Sequence, residues 1–139
     1  MRPISLVLIS HNGKLLLRKG VDKVKNTNFV RPLGGGIEFQ ETSKDAAIRE
    51  VKEEIGGTLI NATLCGVIEN IFTYNGEAGH EIVFVYTGEL ADTDLLTQER
   101  IPNTDSEGFT DWIPATDVLE KKIQIVPEGI LDYISSILS

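Results

Sequence analysis

Glu50, Glu53 and Glu54 crowd one arc of a single helix, and this crowding constrains the chain more than any other feature. Residues Thr42 to Ile55 carry the clearest helical signature in the sequence. Thr42 or Ser43 can cap the start, Asp45 lies in the first turn, and Gly56-Gly57 offers a stop. Ala47, Ile48, Val51 and Ile55 recur at helical spacing and predict the buried stripe. The three glutamates stand at i, i+3 and i+4 beside that stripe. Like charges so spaced destabilise a helix by a few tenths of a kcal/mol per pair. Glu53 and Glu54 also fall in the last turn, where the helix dipole is already negative. The plain reading is a solvated acidic face. The sharper one is a hard cation such as Mg²⁺, which prefers carboxylate and water oxygens.

The rest of the chain sets limits on both readings. A length of 139 residues predicts a single domain, 1–139. With 41% hydrophobic and 24% charged residues, the composition is that of a globular protein. Twenty-one acids against 13 bases leave a formal charge of −8, with no Lys/Arg stripe. Such a field repels nucleic acid polymers, while a small anionic ligand needs a cation to screen it. No apolar run approaches the ~18 residues of a membrane span. The segment Leu6-Val7-Leu8-Ile9 reads as a buried strand and is too short for a signal peptide. Cys65, the one cysteine, excludes an internal disulfide, suits a reducing cytoplasm, and is expected as a small buried apolar residue.

Ile4 to Ser10 and Lys14 to Arg18 are apolar-rich runs around His11-Asn12-Gly13, a hairpin signal. A polar stretch, Lys19 to Asn28, leads through Phe29-Val30-Arg31-Pro32 to Gly34-Gly35-Gly36, which alone reads as a turn. Two strands are predicted at Leu64 to Tyr74 and His80 to Leu90, joined by five residues. Ala91 to Gly108 is acidic, aperiodic and long for a loop. Phe109 to Ile113 predicts a short strand. A last helix follows Val126, with Pro127 in its first turn and Ile130, Leu131, Ile134, Ile137 and Leu138 on its apolar face. This order points to a mixed α/β sandwich.

Taken together, Gly35, five residues, Glu41, seven residues, then Arg49-Glu50-Val51-Lys52-Glu53-Glu54-Ile55-Gly56 resembles the Nudix box. All seven fixed positions match, a coincidence on the order of one in ten million at average residue frequencies. Three details depart from the usual pattern. Gly57 stands where an aliphatic residue closes the box, which predicts a local change in the helix exit. Pro32-Leu33-Gly34 replaces the commoner Leu-Pro-Gly, and Gln40 stands where a glycine is frequent.

The resemblance implies an α/β/α sandwich with a mixed β-sheet between helices, the box forming a loop–helix–loop. It implies Glu53 and Glu54 as the main ligands of Mg²⁺, for which Mn²⁺ can substitute. Glu50 would be a further ligand or the base, and a carbonyl near Gly35 or Gly36 would complete the coordination. It gives Arg49 the supporting task of orienting a carboxylate and Glu41 that of anchoring the loop. Family members differ in the general base: some use the counterpart of Glu50, others an acid on a later loop. Here that loop offers Glu107, the first choice, and Asp111. Arg31 and Gly36 are candidate contacts to substrate phosphates. His80 reads as a polar strand residue, and Phe72 and Tyr74 as core aromatics, with one of them a candidate to stack on a base.

The implied activity is hydrolysis of a phosphoanhydride in a small nucleoside-diphosphate-linked substrate. Oxidised nucleoside triphosphates, nucleotide sugars and diadenosine polyphosphates all qualify, because the box is blind to the groups flanking the diphosphate. The expected partner is that small nucleotide, with no nucleic acid polymer, no membrane, and a homodimer left open. Two other readings are a non-catalytic nucleotide sensor on the same fold and an acidic interaction domain. Retention of all four box glutamates speaks against both.

Overall fold

The apolar run after Pro3 folds as β1 (Arg2–His11), and the other strands assemble around it in the computed structural model, which describes residues 1–138. Ile4, Leu6 and Leu8 face one side of the sheet, while Val7 and Ile9 face the other. A strand covered on both sides needs a continuous apolar run, which this segment supplies. Its exception, Ser5, is buried but donates its hydroxyl to the Ser43 carbonyl at 2.7 Å.

Asn12 (φ 51°) and Gly13 (φ 76°) then turn the chain into β2 (Lys14–Asp22). The expected hairpin is realised only near that turn, where Ser10 pairs with Leu15 and His11 with Lys14. The strands part beyond it, and β3 (Thr27–Gly36) enters between them. It pairs antiparallel with Ile4 to Val7 of β1 and with Leu17 to Asp22 of β2. A polar connection and a glycine turn were the expectation here. Partners on both edges override the poor strand propensity of Pro32 and the glycines.

After β3 come α1 (Ser43–Ile55), β4 (Leu59–Tyr74), β5 (Glu77–Leu90), α2 (Thr93–Leu96), β6 (Arg100–Pro102), β7 (Phe109–Pro114), α3 (Ala115–Leu119), a 3₁₀ turn at Glu128–Ile130 and α4 (Leu131–Leu138). The sheet runs β4-β5-β1-β3-β2-β7-β6, with β1 and β5 parallel and the other strand pairs antiparallel. Ala47, Val51 and Ile55 of α1 pack on one face; Val118, Ile130 and Ile134 pack on the other. The expected mixed α/β/α sandwich is therefore the fold. Among the described residues, no helix is long and apolar enough to cross a membrane.

Several expectations need correction. β4 and β5 are longer than foreseen and meet in a two-residue turn at Asn75 (φ 50°) and Gly76 (φ 83°). The stretch 91–108 contains α2 and β6, and β6 exists because it pairs with β7. Pro127 precedes a 3₁₀ turn before α4 begins. The predicted α4 face is buried or half-buried at Ile130, Leu131, Ile134 and Ile137, and the Leu138 side chain lies outside the described residues. Cys65 is exposed, at the register shift between Leu64 and Gly66 on an edge strand. Ile48 is 38% exposed, while Glu54 is only 2% exposed and takes a place on the buried stripe.

Gly34 shows how tightly β3 is held. Its φ is 140°, and a Cβ there would overlap the Ser5 carbonyl oxygen of β1. Backbone paired in a central strand has little freedom to yield. Gly34→Ala is therefore expected to lower the unfolding free energy by more than ~2 kcal/mol in urea titrations. A smaller loss would show that β1 and β3 can separate locally.

Candidate active site

Helix α1 is capped as its sequence foretells. Thr42 Oγ1 accepts from the Asp45 amide at 3.1 Å, and Gly56, at φ 69°, returns its amide to the Lys52 carbonyl. Ser43 instead shares a 2.6 Å hydrogen bond with the Tyr86 hydroxyl. Gly57, the departure at the end of the box, has a packing reason. A Cβ there would lie 3.0 Å from Leu90 and 3.2 Å from Ile55, so these two side chains occupy the space an aliphatic residue would fill. Gln40 adopts φ 66°, which explains why a glycine suits that place.

Arg49 organises the N-terminal side of the site. Its Nε and Nη2 grip both oxygens of Glu41 at 2.8 and 3.0 Å, and Nη2 also donates to the Gly36 carbonyl at 3.0 Å. Nη1 reaches Glu50 at 3.0 Å and Glu53 at 3.2 Å. The Arg49 fork, with the Glu38 amide, holds the Glu41 carboxyl down at about 2. Three carboxylates thus share one guanidinium. Gly35 fits the same arrangement, since a Cβ on it would meet the Glu50 carboxylate at 2.6 Å.

Glu54 has a separate set of partners. The Gly34 amide donates to its Oε1 at 2.7 Å, and the Arg18 and Arg31 guanidinia lie 3.2 and 3.9 Å from Oε2. Burial pushes its carboxyl up to about 7 against these favourable contacts, and the charge of Glu50 adds to the rise. Arg18 and Arg31 face each other directly across β2 and β3. Like charges so placed repel, and the Glu54 carboxylate between them removes the conflict.

The 103–108 segment, between β6 and β7, docks on the end of α1. The Thr104 amide donates to the Glu54 carbonyl at 2.9 Å, and its hydroxyl to the Glu53 carbonyl at 2.6 Å. Beside it opens a cleft of about 410 Å³, lined by Arg18, Lys19, Arg31, Arg100, Glu107 and Phe109 among others. Four cations therefore converge in a chain of net charge −8. Arg100 lies over the Phe109 ring at 4.2 Å, and that ring is 44% exposed. Asp111, also in the cleft, is bound to Arg100 at 3.1 Å and Lys19 at 3.5 Å.

The predicted residues thus fall into groups. Glu41, Arg49, Glu50, Glu53, Gly35 and Gly36 lie together; Glu54 joins that group to the cleft holding Arg31, Glu107 and Asp111. Gly36 meets Arg49 through its carbonyl. Phe72, Tyr74 and His80 do not line the cleft. Phe72 covers Gly79, Tyr74 packs edge-on against Phe29 at 6.0 Å, and His80 is exposed opposite Ile71 in β5. Among the described residues, no three acidic, His or Cys side chains form a ready-made metal cluster; guanidinia hold the box carboxylates instead. Arg18, Lys19, Arg100, Thr104, Asp105 and Phe109 were not foreseen. No spacing signals them, because strand pairing and the docked segment bring them to the site.

A glutamate-bearing helix clamped to a glycine-rich strand, within this sandwich, defines the architecture of a Nudix hydrolase. The model of the NUDIX domain matches residues 1–133, nearly the whole chain, and the protein belongs to that family. It is thereby a hydrolase of the class that acts on nucleoside diphosphate derivatives, generally with divalent metal ions. A MutT NUDIX hydrolase from Burkholderia pseudomallei is 24% identical, with TM-score 0.64 over 84% of this chain and 85% of that one. A NUDIX-family hydrolase from Clostridium perfringens is also 24% identical, with TM-score 0.66 over 99% and 95%. The E. coli dihydroneopterin triphosphate pyrophosphohydrolase is 19% identical, with TM-score 0.64 over 96% and 92%. At these identities the likeness speaks for the fold.

Arg49 is the test of how the helix tolerates its acids. Arg49→Met strips Glu41, Glu50 and Glu53 of their shared cation, and should cost ~1–3 kcal/mol of stability without metal, discounted for partial exposure. Urea unfolding in EDTA measures it. A wild-type midpoint would mean that solvent alone carries these charges.

Proposed function

We propose that this protein hydrolyses a phosphoanhydride bond in a small nucleoside-diphosphate-linked substrate, with Mg²⁺ as cofactor and Mn²⁺ as a substitute. The observation that carries this reading is the junction at Glu54, which belongs both to the acidic helix and, through Arg18 and Arg31, to the cationic cleft. An acidic cluster alone suits a cation, and a basic cleft alone suits any anion. Side by side they suit a metal-bound diphosphate. The whole of 1–139 would act as one such domain. The exposed, free Cys65 fits a reducing compartment, and the cytoplasm is the proposed setting.

The chemistry of the donors fits a hard cation: Glu53, Glu54 and Glu50 would offer carboxylate oxygens, and the Gly35 carbonyl a neutral one. Three carboxylates on one guanidinium leave negative charge for a divalent ion to neutralise. The Glu53 side chain, 53% exposed, meets solvent as well as Arg49. When bound, the metal neutralises the diphosphate and lowers the pKa of a coordinated water. Arg31 and Lys19 face the cleft to take the remaining phosphate charge, and Phe109 presents a ring on which a flat group can stack.

Glu107 is the proposed base. Glu50 is tied to Arg49 at 3.0 Å and Asp111 to Arg100 at 3.1 Å and Lys19 at 3.5 Å, so each carboxylate is already engaged in an ion pair. Glu107 lines the cleft and, among the described residues, its carboxylate has no hydrogen-bond or ion-pair partner; only its backbone carbonyl accepts, from Asn103. Glu50 is then a supporting ligand.

A nucleotide panel should show hydrolysis of at least one diphosphate derivative with Mg²⁺ and none in EDTA, with very slow turnover of AMP or p-nitrophenyl phosphate. Mg²⁺ should also raise the melting temperature by linkage, a gain that Glu53→Gln with Glu54→Gln removes. An equal gain in the double variant would place the metal elsewhere.

Kinetics separate the two candidate bases. Glu107→Gln should lower kcat more than ~100-fold with little change in KM. A larger kcat loss in Glu50→Gln would move the assignment to Glu50.

A further inference from the structure

Arg18 directs its guanidinium at two carboxylates. Nη2 donates to Asp105 Oδ1 at 2.7 Å and to the Glu54 carbonyl at 2.8 Å. Nη1 donates to Asp105 Oδ2 at 3.3 Å and stands 3.2 Å from Glu54 Oε2. Nε donates to Thr110 Oγ1 at 3.2 Å. Asp105 thus receives the two-pronged fork, while the Glu54 carboxylate receives a single flank contact. We propose that Asp105 is a positioning residue which occupies the Arg18 fork, limits Arg18 to a single contact with the Glu54 carboxylate, and so keeps that carboxylate accessible to a divalent cation. This rests on the reading above that Glu54 is a metal ligand.

The surroundings make Asp105 a fixed anchor. Thr104 ties its neighbour to the Glu53 and Glu54 carbonyls, and Asn103 closes the segment on Gly108 at 3.0 Å. Asn103 Oδ1 accepts from Thr110, whose hydroxyl oxygen in turn accepts from Arg18. The Arg18 guanidinium holds the Asp105 carboxyl below the usual range, so it stays charged. Without it, the one carboxylate left against Arg18 is that of Glu54. Both groups are poorly hydrated, and a fork-to-carboxylate pair would form there. An arginine so placed competes with a metal for the same oxygens. Asp105 prevents this without touching the metal itself.

Mn²⁺ titration of the full chain, followed by electron paramagnetic resonance without substrate, tests the idea in a double-mutant cycle. Asp105→Asn should weaken Mn²⁺ binding about 10-fold, but less than ~2-fold in an Arg18→Gln background, because the competitor is gone. Equal losses in both backgrounds would mean that Asp105 acts only as a distant negative charge, and would overturn the proposal. Asp105→Ser carries the same expectation should the Asn variant fail to fold. Asp105→Glu, which keeps the carboxylate, should retain affinity. If Glu53→Gln with Glu54→Gln leaves Mn²⁺ binding unchanged, the metal reading itself fails. If that pair abolishes binding while Asp105→Asn leaves it intact, only the role of Asp105 is lost.

Discussion

A buried carboxylate is expensive unless its oxygens are satisfied, and that of Glu54 is satisfied by three groups from two strands. The Gly34 amide comes from β3, Arg18 from β2, and Arg31 again from β3. Its own carbonyl accepts from Arg18 and Thr104. The helix, two central strands and the 103–108 segment are therefore joined at one residue. The crossing of β3 between β1 and β2 makes this junction, because it sets Gly34 under the helix and Arg31 opposite Arg18. Replacing Glu54 by an aliphatic residue would suit the core stripe but strand two facing arginines.

The distribution of charge matters more than its sum. A chain at −8 offers nothing to an anion on average. Yet four of its bases line a single cleft, while four of the acids on its helix and loop pair with Arg49, three of them by hydrogen bonds. Opposite fields thus lie side by side across Glu54. A diphosphate carrying a metal ion has the same two-sided character, and either field alone would exclude one half of it.

Stability and site geometry draw on the same contacts here. Thr42, Gly56 and the Ala47–Val51–Ile55 stripe would hold α1 whatever its acids did. The glycines of β3 have a different purpose. Gly34 gives way to the Ser5 carbonyl and Gly35 to the Glu50 carboxylate, so side chains are excluded where strand and helix must approach. The same segment that reads as a weak strand is thus where strand and helix come into close contact.

What the sequence determined by itself was whatever depends on local spacing. The helix limits, its cap at Thr42, its stop at Gly56, the Asn12-Gly13 turn and the two-sided run of β1 all follow from neighbours a few residues apart. The box spacing also marked Glu50, Glu53, Glu54, Arg49 and Glu41 as one unit. Even the burial of Glu54 was visible in principle, since it lies three residues after Val51 and seven after Ala47 on the same stripe. Tertiary structure decided the rest. β3 is a strand because β1 and β2 pair with its two edges, and β6 because β7 returns alongside it; their own propensities are poor. The basic cleft exists because β3, β2, β7 and β6 follow one another in the sheet, which brings residues 31, 18 and 100 together. Asp105 meets Arg18 across 87 residues, a separation at which no local pattern can register. Periodicity reports which face a side chain takes; only strand order and docking decide what that face meets.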